Sequence, residues 1–485
     1  MKSHSDFFHG ADTTWQKVAI VRRSLMFISI FLIECITVYW FANNLSPSFP
    51  LLLQTLIVVP FAILLFWLQL GFFTAIAGLW VSFRRGRFRI LPSQDSPISP
   101  LDTQNTTAIL LPIYNEDVAY VYAGLKSMYQ SLKDQNALDY FEFYILSDSD
   151  DVSIRLQEGA TWLSLCDELD AHGKIHYRQR KHRKKKKSGN VMDFCRRWGK
   201  RHPYMIVLDA DSLMSGTTLQ RLVSVMEQNP KVALIQSPLY TSGVSTLFSR
   251  YFQFLNRLYG PVFFAGLHWW WLGESQYWGH NVIIRTQAFM DHCDLPRLER
   301  GGHLDGDILS HDFVEAALLN RAGWETWLAF NLENSIERPP PTLTDAMKRD
   351  RRWCQGNLQH WHIIWSRGIT HMQRFLMLGG ILSYATSAVW LVWLLVLSYS
   401  AVVYPDTPVI PNTEGTLALT LLSIALLFFY KLFGLFEAFK DHAIKNFGGW
   451  INASLGITAE SIISILITPV KMLYYTRFII EILAG

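Results

Sequence analysis

The sequence predicts an α/β domain, Rossmann-like with a mixed, mostly parallel sheet, inserted between blocks of transmembrane α-helices. Three observations predict it. Half of the 485 residues are hydrophobic and the mean hydropathy is positive, a balance unusual for a soluble protein of this size. The long apolar runs lie towards the two ends of the chain and leave the middle mixed. In that middle, three short apolar runs (TAILLPIYNED, FEFYILSDSDD and YMIVLDAD) each end in acids.

The first apolar runs cover residues 25–42, interrupted by Glu34, and 51–81. Each reaches the roughly 20 residues a spanning helix needs. No small-residue cleavage site follows the first, so no cleavable signal is expected. Lys17, Arg22 and Arg23 precede the pair, Arg84, Arg85, Arg87 and Arg89 follow it, and the loop NNLSPSFP between carries no base. The positive-inside bias then puts both flanks in the cytosol. Apolar runs resume at 375–403 and 417–436, with a third candidate at 447–470. The expected division is a cytoplasmic segment at 1–22, two spanning helices at 23–83, a cytosolic domain at 84–338, interfacial helices at 339–372, and spanning or interfacial helices at 373–485. Glu34, Lys431 and Glu460 fall within the spans, where ionisable groups face a bundle interior or snorkel from helix ends. The cysteines at 35, 166, 195, 293 and 354 show no paired CxxC spacing and read as free thiols.

Within the domain, the three acid-ended runs read as buried strands, with helical stretches such as 117–132 and 191–199 between them. In such sheets ligands bind beyond the carboxyl ends of the strands, where all three acidic motifs fall. Asp209 and Asp211 are two apart at the end of YMIVLDAD. In an extended backbone that spacing sends both carboxylates to one side, where a hard cation, Mg²⁺ or Mn²⁺, can sit. The plainer alternative is a strand-to-loop turn, which Asp favours. Asp148 ends the preceding strand and reads equally as a nucleoside acceptor or as a turn acid. Asn115 and Glu116 end the first strand, beside a helix N-terminus that favours phosphate; capping that helix is the stronger reading for either.

The basic run RKHRKKKKSGN spans residues 180–190. Without interleaved aromatics it does not read as a nucleic-acid surface; it reads as a solvated loop beside anionic lipid. Within it, Lys187, next to Ser188-Gly189-Asn190, suits a diphosphate, the glycine letting ammonium and amides approach together. Asp312 opens a helical stretch after Ser310. It is either a base for an acceptor hydroxyl or, with Ser310, a helix cap. Arg349, Arg351 and Arg352 could grip a diphosphate and Trp353 a sugar ring, or the group could anchor at the membrane interface. Trp269–Trp271 and Trp278 read either as a sugar path or as core aromatics.

Taken in order, these motifs resemble the membrane-bound processive members of glycosyltransferase family 2, which include cellulose and hyaluronan synthases. The positions of Asp148, Asp209-Ala-Asp211, Asp312 and Arg352-Trp353 match that family's first Asp, DxD, general base and QxxRW. Two positions differ: His311 stands before the base and Arg349 takes the Gln position. GESQYWGHNVIIR (273–285), LSHDFVEAALL (309–319) and KRDRRWCQGNLQH (348–360) are more narrowly similar to the glucans biosynthesis glucosyltransferase H family of the bacterial inner membrane. The resemblance implies a GT-A-type domain and a multi-pass inner-membrane enzyme with its catalytic domain in the cytosol. It implies UDP-glucose as donor and a growing β-glucan, β-1,2-linked, as acceptor, the backbone of osmoregulated periplasmic glucans. Membrane lipids and periplasmic glucan-processing proteins are the further partners implied, and a divalent metal the cofactor. It assigns Asp312 as base and Asp209 and Asp211 to the metal. Asn115, Glu116, Asp148, Lys187, Asn190, Asp209, Arg349 and Arg352 fall to the donor, and Trp278, His280, Asn281, His311 and Trp353 to the acceptor. A family 2 transferase that moves one sugar onto a lipid carrier, or makes another β-glucan, is the alternative; a non-catalytic nucleotide-sugar sensor or transporter is a more distant one.

Overall fold

Strand order, more than any single element, determines where the chemistry can sit. In a computed structural model of the protein, residues 14–84, 88, 90–91, 96–102, 104–299 and 301–485 are described. Two long helices come first, α1 (Thr14–Asn43) and α2 (Leu51–Arg84). The domain follows as β1 (Thr107–Ile113), α3 (Val118–Lys133), β2 (Phe141–Ser147), α4 (Val152–Leu169), β3 (Ile175–Gln179), α5 (Lys186–Trp198), β4 (Tyr204–Val207), β5 (Leu213–Met214), α6 (Gly216–Gln228), β6 (Val232–Gln236) and β7 (Tyr240–Thr241). It continues through α7 (Leu247–Trp271), β8 (Val282–Arg285), α8 (Thr286–His292), α9 (His311–Arg321), β9 (Glu325–Leu328), β10 (Ser335–Glu337) and α10 (Leu343–Gln359). Three long helices close the chain: α11 (His371–Val403), α12 (Thr413–Lys440) and α13 (Gly449–Ala484).

The main sheet runs β3-β2-β1-β4-β8-β6-β9, with a small sheet β5-β10-β7 beside it. Only β8 runs against its neighbours β4 and β6, so the sheet is mixed and mostly parallel, as expected. Both faces are buried: Ile109, Leu111, Phe143 and Ile206 pack on one side, Leu110, Tyr144, Met205 and Val207 on the other. That double burial is why these strands read as continuous apolar runs. The first helix is capped by Asp117, whose carboxylate accepts from the Tyr120 N–H. Capping therefore falls to neither Asn115 nor Glu116, because the helix starts one residue later than either could reach.

Among the described residues, five helices, α1, α2 and α11 to α13, are long and apolar enough to cross a membrane. Many of the exposed large hydrophobic residues lie on them, a surface that suits a bilayer rather than water. The last runs to Ala484, beyond the stretch 447–470 the sequence suggested. The ionisable groups inside them do not snorkel alone. Lys431 meets Glu460 at 2.6 Å with both side chains buried, and Gln69 donates to Glu34 at 2.6 Å. Arg22 and Arg23 also do more than flank a span. They donate to the carbonyls of Trp269, Trp270 and Trp271, the last turn of α7, where cations offset unpaired C=O groups. Trp270 and Trp271 are buried there as core, not along a path. Arg85, Arg87 and Arg89 lie outside the described residues.

The domain rests on the apolar helices through α7, which lies along α2. At this seam Gly78 faces the Val262 carbonyl and Gly266 faces the Thr74 carbonyl; a Cβ would come within 1.8 and 1.9 Å of them. Only glycine allows backbones this close, the same close approach that small residues give membrane helices. Gly78→Ala and Gly266→Ala should each destabilise the protein by about 1–3 kcal/mol, read as a lower thermal midpoint in detergent. Gly71→Ala, where a Cβ meets nothing within 4 Å, should not; equal midpoints for all three would remove the seam from the account.

Candidate active site

Each acid-ended strand delivers its carboxylates to one edge of the sheet. Beyond β4, Asp209 and Asp211 follow Leu208, whose N–H still bonds to the Leu110 carbonyl and so extends the ladder. The Lys187 ammonium, in the first turn of α5, pairs with Asp209 and also donates to the Gly279 carbonyl at 2.7 Å. His280 lies on the other side of Asp209. Its Nδ1 is 3.4 Å from Asp209 and its Nε2 is 2.7 Å from Glu337. Nδ1 also bonds to the Trp278 carbonyl. Both ring nitrogens thus face groups that only accept, so both carry protons. Burial pulls this imidazole down, but Asp209 and Glu337 outweigh it and raise it to about 9.

The carboxylates divide by company. Burial raises Asp209, but Lys187 and His280 outweigh it and hold the group well below the ordinary range. Asp211 is raised, first by burial and then by the charges of Asp209 and Glu337. Glu116 is raised by burial and by Asp211 and Asp209, while Arg352 opposes the shift. Arg352, exposed on α10, likewise lowers Asp209. Glu116, Lys187, Asp209, Asp211, His280 and Arg352 therefore share one electrostatic neighbourhood. Asp312, in the first turn of α9, adjoins it through Gly279: a Cβ on that glycine would lie 3.3 Å from the Asp312 carboxylate. Burial and the nearby Glu315 push Asp312 up, against His311.

Other expected site residues are engaged elsewhere. Asp148 is buried and accepts from Arg180 with both oxygens, at 2.8 and 2.6 Å. Arg180 is in turn no part of a solvated loop: it also donates to the carbonyls of Lys184 and Lys186 and shapes the turn into α5. That helix begins at Lys186, earlier than expected, and the Gly189 N–H is bonded to the Lys185 carbonyl instead of facing an anion. Asn190 is buried between the Leu146 carbonyl and Arg178. Asn115, at a left-handed φ of 52°, ties its amide to Asp150.

The residues assigned to an acceptor also move. His280 sits against Asp209 and Glu337, on the metal-motif side. Asn281 is fully buried at φ 50°, its amide on the Ser335 hydroxyl. His311 is held 3.1 Å from the buried Glu315. Trp278 is half-buried against Trp271 and Phe264. Trp353 is 41% exposed, with the Arg349 guanidinium 4.3 Å over its ring, which leaves Arg349 stacked and near Asp350. Arg351 turns to Glu481. Glu337 escaped sequence reading, although it too ends a short strand, β10, before Arg338 and three prolines.

Two family descriptions match this chain: "Glycosyl transferase family 2" over residues 108–293 and "Glycosyl transferase family group 2" over 204–432. Together the two matches mark residues 108–432 as carrying the sequence of a family 2 glycosyl transferase domain, and that domain has the mixed, mostly parallel sheet described above. It is 40% identical to glucans biosynthesis glucosyltransferase H of Ralstonia nicotianae over 97% of this chain and 56% of that protein. With the protein of the same name from Dickeya dadantii it shares 39% identity over 98% of this chain and 60% of that one. The chain thus spans less than two thirds of the length of these relatives. A mannosyltransferase of Pyrobaculum calidifontis in complex with GDP-Man and Mn²⁺ aligns at 13% identity and a TM-score of 0.47, over 83% of this chain and 99% of that one.

Among the described residues, no three His, Cys, Asp or Glu side chains form a ready-made metal cage. None is needed for Mg²⁺ or Mn²⁺, which take one or two carboxylates and complete their shell with water and phosphate. Asp211, raised by like charge and without an ion pair among the described residues, fits such a hard cation, with Asp209 beside it. Asp211→Asn should weaken Mn²⁺ binding, followed by the free-ion EPR signal, by about tenfold or more. Asp148→Asn should leave it unchanged, and an unweakened Asp211→Asn would remove that residue from the metal.

Proposed function

We propose that this chain is an inverting glucosyltransferase that uses UDP-glucose to extend a β-linked glucan, the β-1,2 backbone of osmoregulated periplasmic glucans. Its place would be the bacterial inner membrane, multi-pass, with residues 84–338 as a cytosolic catalytic unit. The observation that carries the reading is the contact chain Lys187–Gly279–Asp312. It sets a cation for a leaving diphosphate and a carboxylate for an acceptor hydroxyl on the two sides of one residue. The relatives' shared name supports glucose and a glucan; the five apolar helices support the membrane.

In this mechanism the acceptor hydroxyl attacks the glucose C1 as Asp312 takes its proton, and the bond from C1 to the UDP oxygen breaks with inversion. Lys187 and Arg352 stabilise the charge that develops on UDP, and Trp353 offers its open ring face to the acceptor sugar. A divalent cation held by Asp209 and Asp211 would supply Lewis-acid neutralisation of the diphosphate. Glu337 keeps His280 against Asp209, which leaves Asp211 the more available ligand. Asp148 acts through Arg180 by shaping the turn that presents Lys187.

Purified full chain carrying Asp312→Asn should lose sugar transfer from labelled UDP-glucose by on the order of 10²–10⁴-fold and still bind UDP. Normal turnover in that variant would sink the base assignment. Because a base works deprotonated, the wild-type rate should fall as pH drops through the raised Asp312 pKa, above the ordinary carboxylate range of about 3.9. Linkage and size analysis of the product then separates a β-1,2-glucan from a single sugar on a lipid.

A further inference from the structure

The string KRDRRWCQGNLQH holds two halves with different work. Its first half carries Arg349, Arg352 and Trp353. Its second half, further along the same stripe of α10, packs onto the segment that leads into α9 and Asp312. There Gln359, 1% exposed, makes three hydrogen bonds to backbone. Its Nε2 donates to the carbonyls of Leu304 and Asp307, each at 3.2 Å, and its Oε1 accepts from the Leu309 N–H at 2.9 Å. Next to it, the buried His360 donates Nε2–H to the Ser310 carbonyl at 3.0 Å, its ring against Phe313. Burial holds this imidazole down to about 4, so it is neutral at physiological pH. One turn back, Gly356 lies against Ser310: a Cβ there would fall 2.2 Å from the hydroxyl and 2.6 Å from the backbone nitrogen.

Ser310, the residue before α9, gives that helix no side-chain cap. A helix start without its own cap takes its position from whatever satisfies the surrounding backbone. Here that is α10. At its other face α10 is tied to α13, where the Tyr475 hydroxyl donates to Asp350 at 2.6 Å and Arg351 lies 3.3 Å from Glu481.

We propose that Gln359 is a positioning residue, a latch that holds the start of α9, and with it Asp312, in register with Arg352 on α10. The latch rests on the reading of Asp312 as the base. It makes the base and the leaving-group cation move as one body, anchored on α13. Replacing Gln359 takes the side-chain partner from two half-buried carbonyls and one half-buried N–H. The start of α9 is then free to shift, while Lys187, Asp209 and Arg352 keep their own supports.

The test uses the full-length chain in detergent, with transfer from labelled UDP-glucose and UDP binding by calorimetry measured on the same preparations. Gln359→Ala should lower kcat by on the order of 10²-fold, the cost of a misplaced group, while the Kd for UDP stays within about twofold. Gln359→Glu keeps the acceptor for Leu309 but turns a carboxylate oxygen on two carbonyls, and should not restore turnover. If Gln359→Ala fails to fold, shown by lost UDP binding, the second arm decides. Gly356→Ala, whose Cβ would press on both the hydroxyl and the backbone nitrogen of Ser310, should bind UDP yet turn over at least about tenfold more slowly. Full turnover in Gln359→Ala, or in Gly356→Ala, overturns the latch. Asp312→Asn run in parallel keeps the two ideas apart. If it is inactive while Gln359→Ala is fully active, the latch alone fails; if Asp312→Asn is active, the base reading itself fails.

Discussion

Repulsion among carboxylates gathered at the ends of the strands is the constraint on which the rest of the site depends. Glu116, Asp209, Asp211 and Glu337 come from three different strand ends, those of β1, β4 and β10, and share one electrostatic neighbourhood. Two unit charges 4 Å apart at an effective dielectric of 20 repel by about 4 kcal/mol. No fold tolerates that without cations, and the chain supplies three from separate places: Lys187 on α5, His280 before β8 and Arg352 on α10. The arrangement leaves Asp209 satisfied and Asp211 short of a counter-charge. A protein that only needed stability would do better with fewer acids here; the residual imbalance is what suits a divalent cation and a diphosphate.

The same economy appears where the domain meets the apolar helices. Arg23 could have served only as a flanking charge for α1, but its guanidinium also closes the end of α7 and reaches Glu274. Gly78 and Gly266 then bring α2 and α7 into backbone contact. Because α7 leads directly into the turn bearing Gly279 and His280, this seam also sets where that turn stands above the sheet. Fold and site are therefore joined mechanically: α7 packs on α2 and α12, and α10 on α11 and α13.

Much of this was legible from the residues. Continuous apolar runs ended by acids marked β1, β2 and β4, since a sheet covered on both faces leaves no alternating pattern to read. The sequence pointed to Asp209, Asp211, Lys187, Arg352 and Asp312 because strand ends, glycine-adjacent lysines and helix starts have few chemical uses, and the structure brings them close to one another. Asn190, Asn281, His311 and Asp148 have contacts that the sequence did not suggest, for one shared reason. A polar residue beside a site in sequence is as often a hydrogen-bond partner for buried backbone or for another charge, and only three-dimensional neighbours such as Leu146, Ser335, Glu315 and Arg180 distinguish the two uses. Glu337 was missed because its strand has only three residues, too short to register as apolar.

By itself, the sequence determined the layered α/β domain, the five apolar helices and the identity of the acids at the strand ends, because each depends on local periodicity and burial. The tertiary structure alone decided which cation meets which acid, that His280 and Glu337 stand beside Asp209, and that Gln359 and Gly356 bear on the segment carrying Asp312. These are contacts between segments far apart in the chain. Their energy depends on distance and dielectric, not on residue spacing, and no periodicity encodes either.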